Sequence, residues 1–227
     1  MLAGAAALAG CQQPGPPQDA TPRLGPNRTG YMYIQAPIVN GLRDLFVANA
    51  NKLLDQDARE IYVLMNSPGG AVSTAQDMIA FMDRTHADRG VRFVMHNAGV
   101  VASAACYVFL AGQRRLSVPR GTFLFHEATV VANGSITSQN LQEASAKVQQ
   151  IERSFMAMLT ARTRLTEAEA SSFVRRTVIL NADEARRDGV IEAISGFALP
   201  PGASIFQIRA VPNGTGAARR PEPSAGG

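Results

Sequence analysis

Strand-like and helix-like runs alternate along this chain at intervals of about 15–25 residues, and two of the junctions between them consist of small residues. The run "EIYVLMN" (60–66) is β-rich and nearly continuous, as a strand covered on both faces should be. It enters the turn Ser67-Pro68-Gly69-Gly70. From Ala71 to Arg84, residues Val72, Ala75, Met78, Ile79 and Met82 recur at helical spacing. "VRFVMHN" (91–97) reads as a second buried strand. The following "NAGVVASAACYVFLAG" (97–112) reads as a helix entered through the small residues from Gly99 to Ser103. Such alternation specifies an α/β fold with mostly parallel pairing. In these folds ligands gather where the carboxyl ends of strands meet helix N-termini.

The flanking segments fit the same scheme. "YMYIQAPI" (31–38) reads as a strand, and Asn40 to Asp55 as a helix with Leu42, Leu45, Phe46, Ala50 and Leu53 on its apolar face. "RRLSVP" and "TFLFHEA" supply two more strands, and "TVVANGSI" an exposed hairpin or loop. A long helix follows from Ser138 to Arg162, with Leu141, Ala144, Val148, Ile151, Phe155, Met158 and Leu159 in one stripe. It is longer than a small domain needs to cover a sheet, which points to an oligomer contact. Thr166 and Glu169 form a capping box that opens a short helix. "VILNADEARRDGVIEAI" gives a strand, a short helix stopped by Gly189, and a last strand. One folded domain is expected over residues 31–210, with a disordered tail over 211–227.

Composition excludes several classes of function. The net charge of +4 comes from basic residues, nearly all arginine, scattered among acidic ones. No basic stripe interleaved with aromatics marks a nucleic-acid surface. No apolar stretch approaches the ~20 residues of a membrane-spanning helix, and no P-loop is present to bind ATP. No metal or other cofactor is expected.

Of the two cysteines, Cys106 reads as a small buried hydrophobe. Cys11 closes "MLAGAAALAGC", in which Leu8-Ala9-Gly10-Cys11 resembles the lipobox of bacterial lipoproteins. That resemblance implies a signal segment over 1–11 and lipidation of Cys11. Residues 12–30, rich in Pro, Gly and Gln, then read as a flexible tether. It also implies a place in the cell envelope, lipid-anchored or periplasmic, with the cytoplasm as the alternative. Any membrane contact would be through the lipid alone.

A serine hydrolase needs a nucleophile, a base within reach and donors for the oxyanion. Ser103 stands near a predicted helix start, where unpaired N–H groups and the helix dipole favour developing negative charge. The N–H of Ala104 is one candidate donor, and that of Gly70, at the start of the neighbouring helix, is the second. His126 ends the strand "TFLFH" and is the candidate base. His96 ends another strand and is a weaker rival, while His86 lies in the polar "DRTHADRG". From the residues alone, a helix-capping serine and a core histidine remain open.

The blocks "YVLMNSPGGAVSTAQDMIAFM", "GVVASAACYVFLAG" and "RGTFLFHEA" resemble, in order and spacing, three blocks of the ClpP peptidases. "NADEARRDGVIEAI" resembles that family's closing block, so the resemblance runs from about Tyr31 to Ile194. It implies the ClpP/crotonase-type spiral of ββα units and a serine endopeptidase acting on peptides or unfolded polypeptides. It places the nucleophile on Ser103, the base on His126 and the oxyanion donors on Gly70 and Ala104. It also implies a homo-oligomeric ring, stacked through the 138–162 "handle" helix. An AAA+ unfoldase partner follows only for a cytoplasmic protein.

One position departs from the family pattern. The triad acid usually stands seven residues before the Glu of the closing block, and here that position is Thr177. No carboxylate lies between Glu169 and Asp183. A weakened Ser–His dyad is therefore expected, unless Glu127, Asp183 or Glu184 substitutes in space. The alternatives are a signal-peptide-peptidase-like Ser–Lys hydrolase using Lys147 or Lys52, a crotonase-type acyl-CoA enzyme, and a non-catalytic ClpP-like scaffold.

Overall fold

The computed structural model describes residues 21–130 and 137–209. Cys11, most of the expected tether, the tip of "TVVANGSI" and the 211–227 tail lie outside the described residues. Among the described residues a short 3-10 turn at Pro26–Arg28 precedes eight strands and six α-helices, which follow one another as β1 (Thr29–Gln35), α1 (Asn40–Leu54), β2 (Glu60–Ser67), α2 (Val72–Arg89), β3 (Arg92–Ala102) and α3 (Ala104–Leu110). Then come β4 (Arg114–Ser117), β5 (Thr122–Phe125), α4 (Ser138–Arg162), α5 (Glu167–Arg175), β6 (Val178–Leu180), α6 (Ala182–Arg187), β7 (Ala193–Ile194) and β8 (Ile205–Arg209). The fold is mixed α/β, as expected, and the 138–162 helix has the expected bounds.

One sheet runs in the order β6-β5-β3-β2-β1-β8, with β4 pairing β3 and β7. All pairings are parallel except β5 with β6. Strand β8, on the edge beside β1, was not anticipated, because "SIFQIR" has little apolar alternation and follows a Pro-Gly turn. At the other end, the segment read as tether already carries structure: Thr29 and Gly30 open β1. A Cβ on Gly30 would press into Leu53 of α1, so this strand start is packed rather than loose.

β3 does most to place the site. Its first half pairs β4 through Val94–Asn97, and its second half pairs β5 through Val100–Ala102. Between them the register with β2 jumps from Met65↔Asn97 to Ser67↔Val101. Two asparagines supply the acceptors that the ladder loses at this bulge. Asn97 Oδ1 accepts from Gly99 N–H at 2.9 Å, and Asn66 Oδ1 accepts from Val100 N–H at 3.2 Å. Asn97, fully buried, also donates to the Thr122 carbonyl at 2.9 Å, tying the bulge to β5.

The bulge corrects the sequence reading of 97–112 as largely helical. Val100 and Val101 are β-branched, and β5 offers them backbone partners, so the strand persists to Ala102 and only Ala104–Leu110 is helix.

Every residue of α3 is buried, as suits a helix apolar on all sides. Phe109 packs edge-on to Phe123 of β5 at 5.1 Å, and Tyr107 stacks on Phe155 of α4 at 3.4 Å with an 8° interplanar angle. Truncating a buried ring of this kind costs about 3–5 kcal/mol. Helices α1 and α2 meet the sheet through Phe46, Phe81 and Phe93. On α4 only Ile151, Phe155 and Leu159 of the predicted stripe are buried. Leu141, near its N-terminus, is 62% exposed, so the first half of the helix leaves its apolar face uncovered in the single chain.

Candidate active site

Ser103 is the hinge between β3 and α3. Its N–H donates to the Leu124 carbonyl at 2.7 Å, extending the β3–β5 ladder by one bond. Its φ of 55° and ψ of −130° then turn the chain into the helix. Positive φ at a non-glycine residue carries strain of about 1–3 kcal/mol and persists only where the surroundings over-determine it. Here the ladder bond holds one side and wholly buried α3 the other. A sharp strand-to-helix turn of this kind exposes a nucleophile's hydroxyl. The Ser103 side chain makes no capping bond to α3, which removes the helix-cap reading.

The Gly69–Gly70 turn lies against this junction. A Cβ on Gly69 would sit 2.6 Å from Ser103 Cβ, 2.5 Å from the Ala102 carbonyl oxygen and 3.1 Å from the Ala104 nitrogen. Gly69 has φ 92° and Gly70 φ 151°, both in territory that favours glycine. The turn is fixed from behind: Ile38 N–H donates to the Gly69 carbonyl at 2.7 Å, and Ala71 N–H donates to the Ile38 carbonyl at 2.8 Å. A Cβ on Gly70 would strike the Ile38 backbone. Ser67 Oγ, buried, accepts from Gly69 N–H at 3.3 Å. Among the described residues the N–H of Gly70 has no acceptor. The N–H of Ala104 opens α3, where helix geometry leaves it unpaired. Sequence reasoning named Gly70 and missed Gly69, the glycine whose missing side chain makes room for Ser103. The positive φ at both positions was the hidden signal.

His126 follows directly on β5, whose Leu124 is the partner of Ser103, so the two parallel strands deliver both residues to the same end of the sheet. Its Nδ1 lies 2.7 Å from the Glu127 carbonyl oxygen. A carbonyl only accepts, so Nδ1 carries the proton and Nε2 holds the lone pair. That is the tautomer a general base needs.

The antiparallel register of β5 with β6 pairs Phe125 with Val178. Continued by one step past the end of both strands, that register would bring His126 opposite Thr177, which is exposed. The position at which the acid was expected carries none. The other carboxylates are engaged elsewhere. Asp183 pairs with Arg186 at 3.2 Å, Glu184 accepts from the Asn181 N–H at 2.9 Å, and Glu127 presents its carbonyl rather than its carboxylate. Among the described residues no carboxylate bonds to His126.

The rival residues sit in other surroundings. His96 is fully buried, with Nε2 3.1 Å from the Ser195 carbonyl and Nδ1 2.6 Å from the Tyr62 hydroxyl. The carbonyl fixes the proton on Nε2, so Nδ1 accepts from Tyr62 and neither nitrogen is left to act as a base. Burial lowers the His96 pKa, and burial raises that of Tyr62 to about 12. His86 lies in the last turn of α2, bonded to the Val91 carbonyl at 3.0 Å. Lys147 is exposed on α4, and Lys52 stands 5.9 Å from the Phe206 ring centroid at the end of α1. Cys106 is buried with its thiol pKa raised by desolvation, and its S–H donates to the Val101 carbonyl at 3.2 Å. Among the described residues no group of His, Cys, Asp and Glu is arranged to hold a metal.

Comparison with known proteins points in one direction. The family described as Clp protease matches residues 26–196. The ATP-dependent Clp protease proteolytic subunit 1 of Cutibacterium acnes is 25% identical over 166 residues, covering 72% of this chain and 75% of that one. Subunit 1 of Mycolicibacterium paratuberculosis is 30% identical over 148 residues, covering 62% of this chain and 65% of that one. Among solved structures, a point mutant of ClpP1 from Listeria monocytogenes superposes with a TM-score of 0.63 at 19% identity, covering 74% of this chain and 91% of that one. At that identity the likeness speaks for the fold.

Proposed function

The chain belongs to the Clp protease family, and from that premise we propose that it is a serine endopeptidase cleaving peptides or unfolded polypeptides with a Ser103–His126 dyad. The observation that carries this reading is the paired delivery of the two residues. Ser103, uncapped and at positive φ, is bonded to the strand that ends in His126, whose Nε2 is left as the lone-pair nitrogen.

In the proposed reaction Ser103 Oγ attacks the scissile carbonyl carbon while its proton passes to His126 Nε2. The carbonyl oxygen becomes an oxyanion facing the N–H groups of Gly70 and Ala104. The imidazolium then protonates the leaving amine, and the C–N bond breaks to leave an ester on Ser103. Water, deprotonated by the same Nε2, hydrolyses that ester and restores the serine.

The dyad is weakened in one respect only. The Glu127 carbonyl orients the ring as an acid would, but it is a neutral dipole facing the imidazolium. Hydrogen bonds to charged groups are worth about 1.5–3 kcal/mol, against about 0.5–1.5 for neutral ones. The missing charge therefore costs roughly one power of ten in rate. We also propose a homo-oligomer joined through the uncovered first half of α4, and an envelope location given by lipidation at Cys11. In that compartment no ATP-driven unfoldase would feed the enzyme, and its substrates would be short or already unfolded.

A fluorophosphonate serine probe tests the reading. The wild-type protein should be labelled, and Ser103→Ala and His126→Ala should not. Labelling that survives Ser103→Ala would overturn the assignment. A folded, oligomeric protein that takes no label would favour the non-catalytic scaffold. Mass measurement of the mature N-terminus decides whether Cys11 is the first, lipidated residue.

A further inference from the structure

At the opposite end of the sheet from Ser103, roughly 30 Å away by the rise of β3, the starts of the three central strands each carry an arginine. Arg28 precedes β1, Arg59 precedes β2 and Arg92 opens β3. The backbone holds them side by side: Arg59 N–H donates to the Arg28 carbonyl at 3.0 Å, and Arg92 N–H to the Arg59 carbonyl at 3.2 Å. Arg89, in the last turn of α2, adds a fourth. All four line one cavity of about 580 Å³, within the usual range for small-ligand sites. Asp57 is the carboxylate that lines it.

The four guanidiniums divide into two kinds. Arg28 is held in place, donating to the Gln56 carbonyl at 2.7 Å, the Asp57 carbonyl at 2.8 Å and the Asp57 carboxylate at 3.1 Å. Arg92 pairs with Glu60 of the neighbouring strand at 3.2 Å. Arg59 and Arg89 have no ion-pair partner among the described residues. Two uncompensated cations at the mouth of a concave site, backed by a third that is rigidly oriented, focus a positive potential there. The planar guanidinium fork matches the oxygens of phosphate groups. The lining includes no aromatic ring to stack a nucleobase.

We infer that this cavity binds a compact, multiply charged phosphoanion, with Arg59 and Arg89 as the primary ligands and Arg28 as the fixed wall. The site is separate from the dyad, so it stands or falls independently of the peptidase reading.

Calorimetric titration of the full chain with sodium tripolyphosphate, at about 0.15 M salt so that diffuse charge is screened, tests it. One site per chain with a Kd below about 1 mM is expected. Arg59→Gln/Arg89→Gln should weaken it at least about tenfold, while the thermal midpoint and the fluorophosphonate labelling stay unchanged. Arg153→Gln, on the exposed face of α4, should leave the affinity as it is. Absence of saturable binding, or affinity retained in the double variant, would overturn the inference. So would binding to phosphatidylglycerol vesicles with none to tripolyphosphate, since the patch would then read a lipid surface rather than hold a solute.

Discussion

The two arms of the proposed dyad are built to different standards. The nucleophile arm is tied by hydrogen bonds at each of its parts: Ser103 by its ladder bond to Leu124, the Gly69–Gly70 turn by Ile38, and the β3 bulge by Asn66 and Asn97. The base arm lies where the strand pairing ends. His126 is held by one local bond to its neighbour's carbonyl, just past the last β5–β6 pair. One arm has no slack and the other lacks a charge. Loss of activity should therefore be easy to produce in the first, and gain should be available only in the second.

The largest effect is expected at Gly69. An added methyl would fall 2.6 Å from Ser103 Cβ and 2.5 Å from the Ala102 carbonyl, at a φ of 92°. Gly69→Ala must push the nucleophile out of line, and displacements of about 1 Å cost about a hundredfold in rate. Peptidase assays should show at least that loss, with the far-ultraviolet circular dichroism of the wild type retained. Near-wild-type turnover in Gly69→Ala would mean that the nucleophile arm has more slack than its contacts indicate.

The base arm should respond in the opposite sense. The β5–β6 register, continued one step past its last pair, would bring Thr177 opposite His126. A carboxylate there would meet the ring edge that now faces a neutral carbonyl. Thr177→Asp should raise kcat/KM by about tenfold, the charged-minus-neutral hydrogen-bond difference converted to rate. Thr177→Asn, of the same shape without the charge, should not. An equal gain from both variants would assign the effect to shape and break the charge argument.

Much of the candidate site's placement on the fold was legible in the sequence because it rests on local chemistry. Small residues at two strand–helix junctions and a histidine just past a strand end are found where the local pattern puts them. What stayed hidden depends on distant pairing. Nothing local in "NAGVVA" says that β3 will bulge at Asn97 and change partner from β4 to β5. Nor does "SIFQIR" reveal that β1 has a free edge for β8. Gly69 and Gly70 look alike in sequence, and only their neighbours, Ser103 for one and Ile38 for the other, separate their tasks.

The histidines allow a smaller test of the same contrast. His96 is locked neutral between Ser195 and Tyr62, and burial lowers its pKa. Below the unfolded value of about 6.5 the unfolded chain gains a proton that the folded chain resists. The contribution of His96 to stability is thus complete above that pH and declines as pH falls below it. Stability should therefore fall between pH 7 and pH 5.5, read as a drop in urea midpoint. His96→Gln should flatten that slope while lowering stability throughout. An unchanged slope would show that His96 is not the group through which acid weakens the fold.

The smallest effect is expected where sequence alone would look for the missing acid. Glu127 is the carboxylate next to His126 in the chain, yet its side chain is exposed and its carbonyl makes the bond. Glu127→Gln keeps that carbonyl and removes the charge, so kcat/KM should change by less than about twofold, as for an exposed and screened group. In Thr177→Asp the same substitution should also be silent, because the new carboxylate, not Glu127, then faces the ring. A tenfold loss in Glu127→Gln would instead make that side chain the acid of a hidden triad. Thr177→Asp should then gain nothing, so the two variants together decide whether the base arm is orphaned or supplied from the adjacent residue.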